Sequence, residues 1–184
     1  MESAIFGLIG VAFGAYLSAF KERWAELRRE DKETEYLTVQ ISSELELFAA
    51  RCAGVVKDDG KVDEDGLRKP QLPDPKFDPM QLEGVDWKVL PVDSMYEILD
   101  IPFKLEIANQ HIASAFGISS APEFKEGFEE RQRQYADLGS TAWRLAVGLR
   151  RQAGFRERAG EEWASYTSMQ KRRQQLRRAK GNES

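Results

Sequence analysis

The charge-free run from Ser3 to Phe20 constrains the fold of this chain more than any other feature. The run reads SAIFGLIGVAFGAYLSAF, and Lys21 ends it. As a helix rising ~1.5 Å per residue it spans roughly 27 Å, close to the hydrocarbon thickness of a bilayer. We therefore expect residues 1–20 to form a single transmembrane anchor. A buried helix of a soluble protein and a cleaved signal peptide are the alternatives, and the second lacks a basic segment before the run.

Basic residues crowd the side of the predicted anchor that follows Phe20. They are Lys21, Arg23, Arg28, Arg29 and Lys32. The positive-inside rule then places the N-terminus outside and the body of the chain in the cytoplasm, at an inner or plasma membrane. A lone cysteine, Cys52, fits a reducing compartment because it cannot form an intramolecular disulfide.

Small residues form one narrow seam along the predicted anchor. They recur at steps of four, three, four and four residues, as Ser3, Gly7, Gly10, Gly14 and Ser18. Such a seam lets a second helix approach closely in lipid, where packing replaces the hydrophobic drive. We therefore expect a homo-oligomer that associates through the anchor. The alternative is that these residues merely occur in a short membrane span.

The 184 residues are 41% hydrophobic and 32% charged, which past the anchor suits one domain with a real core. An apolar stripe with steps of three and four residues predicts a stalk and first bundle helix over residues 21–57. The stripe comprises Leu37, Ile41, Leu45, Phe48, Cys52 and Val55.

Residues 58–90 are rich in proline and aspartate and predict a long loop. Apolar residues within it favour a loop packed across the bundle over a free recognition segment. Its acidic stretch DDGKVDEDG does not match a calcium-binding EF-hand, because Lys61 and Leu72 would stand at the first and twelfth positions.

Residues 91–155 predict a helical hairpin. Its first helix should run from an N-cap at Asp93 to Phe116. Apolar residues cover more than one of its faces, so we expect it to be central in the bundle. They include Leu99, Phe103 and Ile107. Pro102 should kink or break this helix, because proline lacks the amide donor and disfavours helical geometry in the preceding residue.

The second helix of the hairpin opens with a predicted capping box, in which Ser120 is the N-cap and Glu123 reaches back. A heptad seam follows and is typical of a coiled coil or a long bundle helix. It comprises Phe124, Phe128, Tyr135, Leu138, Ala142, Leu145 and Leu149. Arg131 interrupts the seam, either to set its register or to extend its charge to water.

Residues 156–184 predict a C-terminal basic helix and tail. Six basic side chains cluster there without an acidic one: Lys171, Arg172, Arg173, Arg177, Arg178 and Lys180. They fit anionic lipid, nucleic acid or a solvated helix end, and near a membrane lipid is favoured over nucleic acid. The formal net charge of −4 shows that the whole chain is no generic polyanion binder. The sequence leaves open whether the basic end faces the membrane or the cytoplasm.

The sequence carries no recognisable catalytic constellation. It has no glycine-rich phosphate loop, no GxSxG and no CxxC, and His111 is its one histidine. We therefore expect no enzymatic activity, no cofactor and no metal.

These features together predict an all-α protein. Its single transmembrane helix continues into a cytoplasmic antiparallel bundle of three to four long helices, and the bundle has one long Pro-rich loop. The predicted function is a membrane-tethered interaction or scaffold module. It self-associates through the anchor and the heptad seam and presents the loop or the basic tail to an unidentified protein partner. One alternative is a membrane-active effector that forms a pore or perturbs the bilayer. Another is an electrostatic binder of anionic lipid or nucleic acid through the basic helix.

Overall fold

The computed structural model describes residues 35–82, 86–155 and 161–182. The chain divides into two compact units, Met1–Leu37 and Thr38–Ser184, and the contacts given below belong to the second. The predicted anchor, Ser3–Phe20, lies outside the described residues. None of the helices within the described ranges is long and apolar enough to cross a bilayer. The described part of the chain is mostly helical, which confirms the predicted fold class at that level.

Helices follow one another along the described chain with one small hairpin between the first two. The elements are α1 (35–56), β1 (Lys61–Val62), β2 (Arg68–Lys69), α2 (Val92–Leu99), α3 (Ile101–Ile118), α4 (Lys125–Gln152) and α5 (Glu161–Asn182). The two strands pair antiparallel. Single 3-10 turns occupy Pro79–Gln81 and Trp87–Val89.

Three segments run antiparallel to α4, because contacts that ascend along α4 descend along each neighbour. With α3 the pairs are Phe128–Phe116 and Tyr135–Asn109. With α1 and the residues after it they are Gln132–Asp58 and Arg150–Glu46. With α5 they are Gln132–Arg172 and Trp143–Tyr166. Helices α1 and α5 therefore run in the same direction. The C-terminal half of α5 leads towards the end of the bundle at which α1 stops.

Helix α4 is the central helix of the described bundle, and its apolar face is buried along its length. Helix α4 approaches α1 and α5 closely at Gly139. A Cβ atom there would lie 2.7 Å from the Cβ of Cys52 and 2.7 Å from the sulfur of Met169. Only a residue without a side chain lets α1, α4 and α5 meet at this distance.

Pro102 breaks the helix as predicted, because α2 ends at Leu99 and α3 begins at Ile101. The predicted N-cap at Asp93 is wrong: Pro91 precedes the first turn, and Asp93 lies within it. The central position predicted for this helix pair is also wrong. Because α4 takes the centre, α2 and α3 bury only one face, which includes Ile98 and Leu105.

The predicted capping box at Ser120 and Glu123 is wrong, because α4 begins at Lys125. Phe124 lies in the left-handed region at φ 48°, so the right-handed helix cannot extend through it towards the N-terminus. Its ring packs against that of Phe116, 6.4 Å away between centroids. Ser119 acts at this helix start instead, since its hydroxyl accepts a hydrogen bond from the amide of Gly127 at 2.8 Å.

The Pro-rich segment packs across the bundle, as the sequence favoured. Phe77 is buried in the main core, with its ring 5.3 Å from that of Phe48 on α1. Pro79 is buried at the first 3-10 turn. Beside the hairpin, Gly60 adopts φ 75°, and a Cβ there would lie 2.4 Å from the ring of Phe128. The segment is thus a structural part of the fold.

Candidate interaction surface

A buried arginine fastens the Pro-rich segment to the bundle. The side chain of Arg131 is 2% exposed and that of its partner Asp58 is 1% exposed. The guanidinium donates to Asp58 Oδ2 at 3.0 Å, to Asp74 Oδ1 at 3.1 Å and to the carbonyl of Leu72 at 2.7 Å. Arg131 therefore neither extends to water nor contacts a second helix of a coiled coil, because its charge is neutralised inside the fold.

Asp58 organises the backbone that follows α1. Its carboxylate accepts the amides of Gly60, Gln71 and Leu72, each at 3.0 Å. Burial alone raises the pKa of this carboxyl, but the donated amides of Leu72 and Gly60 and the Arg131 guanidinium outweigh burial, so the pKa lies below its ordinary value. Asp58 is therefore ionised whenever the protein is folded at neutral pH.

Gln132 joins this network to α5. Its amide nitrogen donates to the carbonyl of Asp58 at 3.2 Å and to Asp59 Oδ1 at 3.0 Å. Its amide oxygen accepts from Arg172 Nη2 at 2.6 Å. The neighbouring Arg173 forms an ion pair with Asp137 of α4. Two arginines of the predicted basic site thus hold α5 against α4.

Of the rest of the predicted basic site, the structure describes only the side chain of Lys171. Lys171 is exposed. The side chains of Arg177, Arg178 and Lys180 lie outside the described residues. Arg172 and Arg173 have partners within the fold, so these two side chains are not the free charges that the lipid and nucleic-acid hypotheses assumed.

The predicted heptad seam lies inside the bundle. Its buried members are Phe128, Tyr135, Leu138, Ala142, Leu145 and Leu149, and Phe124 is partly buried. The face thus packs against helices of the same chain. The predicted anchor seam of Ser3, Gly7, Gly10, Gly14 and Ser18 lies outside the described residues.

Reactive side chains of the described core are held in unreactive forms. Burial, together with the nearby Asp74 carboxylate, raises the pKa of the Tyr135 hydroxyl, which donates to Asn109 at 2.9 Å. Burial also raises the pKa of the Cys52 thiol, which is fully enclosed.

His111 is exposed, and one ring nitrogen lies 3.0 Å from the amide of Gln134. Within the described ranges no group of three or more His, Cys, Asp or Glu residues is placed to hold a metal ion.

A cavity of about 760 Å³ opens between α1, the Pro-rich segment and α3. Phe48 and Phe77 provide an apolar lining, while Glu44, Arg51 and Lys76 place charges of both signs there. This mixture does not select a ligand of one charge, and the cavity therefore gives no chemical class of substrate.

The face of α2 and α3 that points away from the core carries a row of exposed apolar side chains. Its members, named here the α2–α3 strip, are Val92 (73% exposed), Tyr96 (69%), Leu99 (37%), Phe103 (65%) and Ile107 (37%). Their helical spacing continues across the break, because Asp100 keeps a helical conformation and its amide bonds to the carbonyl of Tyr96 at 3.0 Å. Together they expose about 500 Å² of apolar surface, in the range of the largest patches on ordinary monomers.

Ion pairs along one edge of the strip neutralise the charges nearest to it. Lys104 Nζ lies 2.9 Å from Asp100 Oδ2, and Arg144 of α4 pairs with Glu97. Because Asp100 and Glu97 each have an opposite charge beside them, an apolar partner can approach along this edge without isolating these two ions. The strip and this edge together have the composition of an interaction surface, with an apolar centre and a polar rim.

The prediction of a central helix is wrong for three members of the strip. It places Leu99, Phe103 and Ile107 in the core, whereas the structure exposes them. Tyr96 and Val92 continue the same face one and two turns earlier. Their three- and four-residue spacing was the pattern from which the sequence could have predicted this face.

Searches of protein-family models, of curated proteins and of solved structures found nothing similar to this chain.

Proposed function

We propose that this chain is a helical protein-interaction module that is tethered to a membrane by residues 1–20 and binds protein through the α2–α3 strip. The observation that supports this function is the exposure of two aromatic rings, Tyr96 and Phe103, on a helix pair whose opposite face is core. Aromatic side chains on a firmly packed backbone are the usual anchors of protein interfaces, because they bury much area with little loss of rotational freedom.

The polar chemistry of the fold also favours a binding module over an enzyme. The buried charges of Arg131 and Asp58 serve to hold the Pro-rich segment. The buried amide of Gln132 serves to join α4 to α5. Ionisable groups in active sites instead point their reactive atoms into a cleft that substrate can enter.

Site-directed photocrosslinking in cells tests the binding function. The full chain carries p-benzoylphenylalanine in place of Tyr96, and a matched chain carries it at Glu126, an exposed position on the first turn of α4. We expect a protein adduct of discrete mass from position 96 and none from position 126. If neither position yields a protein adduct, or if both yield the same set, the strip is not the binding surface.

Alkaline extraction of membranes tests the tether separately. The full chain should remain in the membrane pellet at high pH, and a chain lacking residues 2–20 should be released. Release of both chains would contradict the tether while leaving the crosslinking result interpretable, because the α2–α3 strip lies in the second unit of the chain.

A further inference from the structure

The side chains of the α2–α3 strip have nearly the same order when read in either direction. An aliphatic residue stands at each end (Val92 and Ile107), an aromatic residue stands inside each end (Tyr96 and Phe103), and Leu99 lies at the middle. Successive members are separated by four, three, four and four residues. A twofold interface requires one surface to complement itself, and a row with this order meets that condition.

We propose that the α2–α3 strip binds a second copy of this chain, with the two strips antiparallel and the twofold axis passing next to Leu99. The proposal rests on the binding function proposed above and names its partner. In this arrangement Val92 of one copy meets Ile107 of the other, Tyr96 meets Phe103, and the two Leu99 side chains meet each other. Each aromatic ring then packs on a ring of the other copy, which is a favourable geometry for aromatic pairs.

The exposed area fits a weak dimer. With about 500 Å² from each strip, two copies bury on the order of 1,000 Å², which is the lower limit for a specific protein interface. Interfaces of this size form transient complexes, so we expect a dissociation constant on the order of 10 µM for the isolated interaction.

The charges beside the strip permit two copies to approach. Asp100 lies next to the proposed axis, where two copies of an unpaired carboxylate would repel each other. The Lys104 ammonium, 2.9 Å from that carboxylate, offsets the repulsion. The pair between Glu97 and Arg144 neutralises a second carboxylate farther along the same edge.

Disulfide crosslinking in membranes tests both the partner and the register. Single cysteines replace Leu99 or Ser114, each in the full chain with a distinguishing tag. Ser114 is a matched control because it is exposed on α3 two turns beyond the strip. In the proposed dimer the two copies of Ser114 lie roughly 40 Å apart at ~1.5 Å per residue, whereas the two Leu99 positions touch. The parent chain reports any background from the buried Cys52.

We expect mild oxidation to dimerise Leu99→Cys at least tenfold more than Ser114→Cys. Mixed copies carrying Val92→Cys and Ile107→Cys should crosslink to each other, and each alone should not. Equal crosslinking at Leu99 and Ser114 would indicate a parallel pair and overturn the proposal. No crosslinking at Leu99, combined with a Tyr96 photoadduct whose mass is not twice that of the chain, would assign the strip to a different protein and leave the binding function standing.

Two further occupants give distinct results. If the strip lay on lipid, Leu99→Cys would not form a disulfide dimer, and position 96 would yield no protein adduct. If residues 2–20 of the same chain covered the strip, their deletion would create dimer that the full chain lacks. Either result would overturn the proposed dimer.

Discussion

Replacing Arg131 with methionine should destabilise the protein more than any change at a surface charge. Methionine fills similar volume but removes the donors to Asp58, Asp74 and Leu72. Breaking a buried ion pair from one side costs about 3–5 kcal/mol. We expect the lower end, about 3 kcal/mol, because three backbone amides continue to stabilise the Asp58 carboxylate.

The matched control is Arg133→Met on the same helix. Arg133 is 31% exposed and pairs with Glu130 on the neighbouring turn, so its loss should cost less than about 1 kcal/mol. Circular dichroism of the purified full chain during heating measures both variants. A loss of about 3 kcal/mol lowers the melting temperature by roughly 6–12 °C for a chain of this size.

A second readout locates the effect of Arg131→Met. Hydrogen exchange at the amides of Gln71 and Leu72 should accelerate in Arg131→Met and stay unchanged in Arg133→Met, because without the guanidinium the hydrogen bonds of these amides to Asp58 open more often. Equal melting temperatures for the two variants, with unchanged exchange at these amides, would refute the role assigned to Arg131.

Three further changes test the packing and the ionisation of the core. Gly139→Val should lower the free energy of unfolding by about 1–3 kcal/mol in chemical denaturation, because the valine side chain would collide with Cys52. Gly148 has open space around it, so Gly148→Ala should be neutral or raise the free energy of unfolding by up to about 1 kcal/mol. Asp58 has a folded-state pKa below its ordinary value of 3.8, so its stabilisation is fully present above about pH 4 and is lost as pH falls through the lowered pKa; Asp58→Asn should therefore lose part of the acid dependence of the unfolding free energy. Native Cys52 should react with a thiol reagent at least a hundredfold more slowly than the unfolded chain, because burial both encloses it and raises its pKa; fast native labelling would contradict this core assignment.

Local patterns in the sequence predicted the parts of the fold that depend on local physics. The spacing of Ile41, Leu45 and Phe48 gave the buried face of α1, because a helix repeats every 3.6 residues whatever surrounds it. Pro102 gave the helix break for the same reason, since its missing amide acts within one turn. These features needed no knowledge of distant residues.

The features that the sequence did not predict depend on distant partners. Arg131 interrupts an apolar seam, and its partner Asp58 lies 73 residues earlier, so no local pattern identified the pair. Helix α4 begins after Phe124, whose ring packs against the distant Phe116, and not at the favourable capping sequence around Ser120. Which side chains a helix exposes depends on how many neighbours the fold supplies, and for this reason the α2–α3 strip was assigned to the core.

Sedimentation equilibrium in density-matched detergent measures the mass of the full chain and thereby tests the α2–α3 strip as a dimer interface. We expect dimers of the 21.0 kDa chain that dissociate when Tyr96 and Phe103 are both replaced by glutamate. Ile118→Glu changes an apolar side chain that is 84% exposed and lies beyond the strip, and we expect it to leave the dimer intact. A full chain that stays monomeric at high concentration, or a dimer that survives the double replacement, would show that the strip does not join two copies.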